Sequence, residues 1–156
     1  MRYIILFILL TSVVLSNNKE STFLYYEIQG PQKALLAPNF EIKLYEASKD
    51  TVNEESIRFR AGVSVLNLVL FSWSPSYLAG FHYVSGTNKK LDLGVAILYE
   101  NYKDFHYFNT ATSLSFTLGF RHSIGDDWFV GGAICPTYSK SNIPSYHVSF
   151  KFGFTI

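Results

Sequence analysis

The chain of 156 residues holds a single cysteine, Cys135. No intramolecular disulfide can form, and a metal site built on thiolates is excluded. Charge of one sign is lacking too, since 13 Lys and Arg face 12 Asp and Glu, which leaves no electrostatic case for nucleic acid as a partner. The histidines are scattered: His82 and His106 stand isolated, His122 adjoins a turn and His147 lies near the end. They show no metal-ligand spacing, and neither metal nor cofactor is expected. No segment carries helical periodicity or a capping box, no internal repeat is visible, and no apolar run reaches the ~20 residues of a spanning helix. Gly131-Gly132 lacks the strand-loop-helix setting of a phosphate loop.

What the chain has in excess is aromatic side chains, 17% of its residues. The last eleven positions show how they are used. From His147 onward, Val148, Phe150, Phe152, Phe154 and Ile156 alternate with His147, Ser149, Lys151, Gly153 and Thr155. Successive side chains of a strand point to opposite faces, so this segment reads as a strand with one apolar face and one polar or small face. Tyr and Trp favour the headgroup level of a bilayer, where the ring is buried and the polar tip stays wet.

The amino end reads as a secretory signal peptide. Met1-Arg2 gives a positive start, Tyr3 to Leu10 an apolar run, and Val14 and Ser16 suit cleavage after Ser16. No cysteine follows the run, so a lipoprotein site is absent. Residues 17–156 then form one domain, formally neutral once Arg2 is lost.

The same alternation recurs along that domain. Thr22 to Gln29 is a short β-like run closed by Gly30-Pro31, and Ala34 to Glu46 follows with Phe40, Ile42 and Leu44 opposed to Glu41, Lys43 and Tyr45. Ser48 to Ser56 reads as a loop. Ile57 to Leu66 is a clean strand; residues 67–74 are apolar without alternation; Pro75 to Ser85 is the next strand. A polar turn near Gly86 leads into Leu91 to Glu100, and Asn101 to Thr110 reads as an aromatic loop. Ala111 to His122, a turn at Ser123 to Asp126, Asp127 to Tyr138 and the terminal strand complete the count of eight. Most strands are about ten residues long, the length a tilted strand needs to cross a hydrocarbon layer.

The expected fold is all-β, an eight-stranded antiparallel up-and-down transmembrane β-barrel. A sheet survives in a bilayer only if it closes on itself, because no water is there to satisfy its edges. Phe59, Phe116, Phe120, Phe150, Phe152, Phe154 and Ile156 are then expected to face lipid. Glu41, Lys43, Arg58, Arg60, Asp92, Glu100, Arg121 and Lys151 are expected to meet across the lumen as a network of ion pairs and plug it. In a soluble periplasmic lipocalin-like or sandwich domain the same alternation would run with its apolar face inward.

The terminal strand resembles the C-terminal strand of outer-membrane β-barrels, and residues 17–156 as a whole resemble the small outer-membrane β-barrel proteins of Gram-negative bacteria. That resemblance implies location in the cell outer membrane, lipid as the surrounding partner, and recognition by the barrel assembly machinery during insertion. The last residue here is Ile156, where that family usually ends in an aromatic. It implies a structural or surface-interaction role and no specific activity. A second resemblance points to an enzyme. His147-Val148-Ser149 resembles the His-x-Ser pair of the lipid A deacylase family, in which the His acts as general base for the Ser nucleophile. No acidic residue follows Ser149 to orient the His, and the pair shares the face of Lys151.

Overall fold

The structure, a computed structural model, describes residues 22–32, 36–47, 54–67, 72–104, 107–139 and 144–156. The proposed signal peptide, residues 1–16, lies outside them. Among the described residues there are eight strands: β1 (Thr22–Ile28), β2 (Ala37–Glu46), β3 (Glu54–Asn67), β4 (Ser72–Gly86), β5 (Lys89–Asp104), β6 (Tyr107–Ile124), β7 (Trp128–Ser139) and β8 (Ser145–Thr155). Each pairs antiparallel with its neighbour in sequence, and β8 closes the barrel on β1 through pairs from Phe23↔Thr155 to Ile28↔Phe150. Closure leaves no pair of free sheet edges along the shared length of β1 and β8, which is why an all-antiparallel order of eight can stand without a second layer.

One end of the barrel carries Thr22, Ile156 and two tight turns. At the second of these, Gly125 takes φ 64°, a left-handed conformation that a side chain would oppose. The other end carries the β1–β2, β3–β4, β5–β6 and β7–β8 connections, and here β3 to β8 run longer than the sequence suggests, whereas β1 ends at Ile28 and β2 begins only at Ala37. The stretch read as an aromatic loop, Asn101 to Thr110, is mostly strand: β5 and β6 stay paired from Asn101↔Thr110 out to Asp104↔Tyr107. At the end that carries the termini, the loop read at Ser48 to Ser56 ends earlier, because β3 begins at Glu54. The non-alternating stretch 67–74 spans the end of β3 and the start of β4, with 68–71 outside the described residues.

The wall is uneven. β1 has 7 residues and β2 has 10, against 18 in β6. Where β1 and β2 stop, Gly30, Pro31 and Gln32 turn into the lumen and are buried, and Gln32 Nε2 donates to the Ser76 carbonyl at 3.3 Å.

Polarity is inverted relative to a water-soluble fold. The most exposed large side chains include Phe120, Phe150, Ile97, Leu118 and Phe81, each more than half exposed, while Arg60, Glu41 and Asp92 are wholly buried. A small apolar cluster of Leu78, Ala96 and Leu98 lies inside on β4 and β5. The remaining interior toward the connections is lined by hydroxyl groups, among them Ser113, Ser115 and Thr137.

Candidate functional site

Inward positions recur at every second residue, so a polar residue placed between two apolar ones on the right strand is carried into the lumen. Seven of the eight strands supply the central network in this way, and the register decides which groups meet. From β6, Arg121 donates through Nη1 and Nη2 to the two Glu41 oxygens on β2 at 2.6 and 2.7 Å, and through Nε to Asp92 Oδ2 on β5 at 2.9 Å. Lys151 on β8 donates to the same Asp92 oxygen at 2.6 Å. His82 on β4 lies 2.6 Å from Asp92 Oδ1 through Nδ1. On the far side of His82, Arg60 Nη1 approaches Nε2 at 3.5 Å, so Nε2 is the acceptor and the ring donates from Nδ1 to Asp92.

Arg60 of β3 extends the network toward β1. Its Nη2 is paired with Glu27, and Nε and Nη2 donate to Asn39 Oδ1 at 3.0 and 2.9 Å. Tyr25 packs among the cations, with the Arg60 and Arg121 guanidinium carbons 5.4 and 5.8 Å from its ring centre. β7 contributes no charge; its Phe129 ring lies 5.2 Å from the Arg121 guanidinium. Such cation–ring contacts let an apolar ring share the interior with buried cations.

Among the expected lumen residues, Glu41, Arg58, Arg60, Asp92, Arg121 and Lys151 are buried inside the barrel. Lys43 pairs with Glu46 at 3.0 Å on its own strand, and Glu100 is half-buried further along β5. Of the expected outward residues, Phe116, Phe120, Phe150, Phe152 and Ile156 are exposed, and Phe59 and Phe154 half-exposed. His82 is a correction: read as isolated, it is the bridge between Arg60 and Asp92. Its position between outward Phe81 and Tyr83 carried that signal. Glu27 and Asn39 were missed outright, although Glu27 sits between the outward Tyr26 and Ile28. His106 lies outside the described residues.

No protein-family model, curated protein or solved structure matches the chain.

The chemistry of the interior therefore has to be taken from its own geometry. The His147 ring is 3.1 Å from Ser145 Oγ, and Ser149 is wholly buried, its hydroxyl accepting from the Cys135 thiol at 3.9 Å. A nucleophile so placed opens on the lumen and away from the outer face. Among the described residues there is no cluster of three or more His, Cys, Asp or Glu able to hold a metal ion. What the arrangement does chemically is tie opposite walls together with charge-assisted bonds, the strong class of hydrogen bond.

Proposed function

We propose that this protein is an integral outer-membrane β-barrel with a structural or surface-interaction role, its lumen closed by the ion network. The observation that carries this reading is the inverted polarity of a closed barrel. Every strand turns at least one large apolar side chain outward, from Tyr26 on β1 and Leu44 on β2 through Phe81, Ile97 and Phe120 to Ile134 and Phe150. A soluble monomer rarely exposes a contiguous apolar patch beyond a few hundred Å². A belt around a whole barrel is suited to hydrocarbon, where closure satisfies the backbone and the apolar face meets lipid.

Conduction is disfavoured because eight strands leave little lumen and charged side chains fill it. Enzyme action by His147 and Ser149 is disfavoured by the burial of Ser149. Lipid is the surrounding partner, and the alternating β8 strand is the segment the assembly machinery would read.

Fractionation with a cold-detergent gel tests the reading. Recovery with outer membranes, and migration that changes on boiling, are expected. Recovery in the soluble fraction without detergent would refute it.

A further inference from the structure

The geometry points to an oxyanion-binding site at Arg58, toward the turn-bearing end of the lumen. Three of the four buried cations of the network are matched. Arg60 has Glu27, Arg121 has Glu41 and Asp92, and Lys151 has Asp92. Arg58 is the remaining one. Its nearest carboxylate among the described residues, Glu41, is 4.0 Å away and already gripped at both oxygens by Arg121. Only Nε has a hydrogen-bond partner among the described residues, donating to Ser56 Oγ at 3.0 Å. Both terminal nitrogens lack one among the described residues, and the 6% of Arg58 that stays exposed leaves them within reach of solvent.

A nearly buried guanidinium with both terminal nitrogens uncommitted can take an anion from solvent. The surroundings suit one. The Phe23 ring centre lies 4.2 Å from the guanidinium carbon, which sits over its face. Ser56, accepting from Nε, keeps its own O–H to donate. Lys43 sits directly across in register on β2, paired with Glu46 at 3.0 Å. Two parallel N–H groups with a hydroxyl beside them fit an anion with two or more oxygens in one plane, and a phosphate group matches better than a halide. The site holds whether the outer face meets lipid or water, so its failure and that of the membrane reading are separate results.

The test uses the full barrel refolded in nonionic detergent, with inorganic phosphate as probe and sodium chloride at equal ionic strength as control. Magnetic resonance of Ser56 and Arg58 is read. A second arm replaces free phosphate by micelles containing a phosphomonoester lipid, against micelles with the corresponding neutral diacylglycerol. Saturable shifts at Ser56 and Arg58 in either arm support the site, and the arm that responds names its source. Arg58→Gln, with the boiling-dependent gel shift retained, should abolish the response. If that variant does not fold, Ser56→Ala decides, with an expected weakening of roughly tenfold. Equal shifts with chloride, no response in either arm, an undiminished response in folded Arg58→Gln, or unchanged affinity in Ser56→Ala would each overturn the proposal.

Discussion

Arg121 grips Glu41 with both terminal nitrogens, at 2.6 and 2.7 Å, from strands on opposite sides of the barrel. The bond joins β6 to β2, which stand four strands apart around the closed sheet. Removing one partner leaves the other charge buried, so Glu41→Gln should cost about 3–5 kcal/mol. Replacing both with Leu should cost much less than the two single losses combined, because neither charge then remains. A double-mutant cycle from urea unfolding measures the difference.

Among the described residues, Asp92 receives three partners, Arg121, Lys151 and His82, whereas Arg58 has no carboxylate closer than 4.0 Å. In chloride buffer, Asp92→Asn is therefore expected to destabilise by several kcal/mol, and Arg58→Gln by about 1 kcal/mol or less. The order of the two unfolding midpoints checks this.

Gly94 lies against the His82 ring, where an added Cβ would come within 2.5 to 2.8 Å of three ring atoms. Gly94→Ala should push the imidazole off Asp92 and cost on the order of 1–3 kcal/mol, as overpacking does. A shift of the His82 ring resonances together with a lower unfolding midpoint is the expected signature. A ring resonance left in place would deny the contact its role.

The eight strands and their faces were legible because alternation depends only on which wall a side chain points to, a period-2 property that local sequence carries. Strand ends were less legible. At the β2 end a register shift between Lys43 and Tyr45 leaves Leu44 and Tyr45 both exposed, so the simple alternation there misplaced Tyr45. The paired stretch Asn101 to Asp104 was hidden because its sequence does not alternate, although the backbone ladder continues. The network was legible as a list of charges and illegible as a set of pairs. Whether Arg60 meets Glu27 or Glu41 is set by strand register and barrel closure, which no single strand encodes.

If the outward belt lies in hydrocarbon, Phe150→Lys should weaken folding into a bilayer by about 2–4 kcal/mol, with the smaller figure applying nearer an interface. The same change in Ser113, which faces inward, would act through packing instead. Folding titrations into phospholipid vesicles separate the two by their dependence on bilayer thickness.

The proposal that the outward apolar faces meet lipid is tested most directly by fluorescence quenching. Single cysteines placed at Phe120 and Phe150 in a Cys135→Ser background, labelled and reconstituted in vesicles, should be quenched by acyl-chain nitroxides and spared by an aqueous quencher. Strong quenching from water at both positions, with none from the acyl chains, would contradict the account.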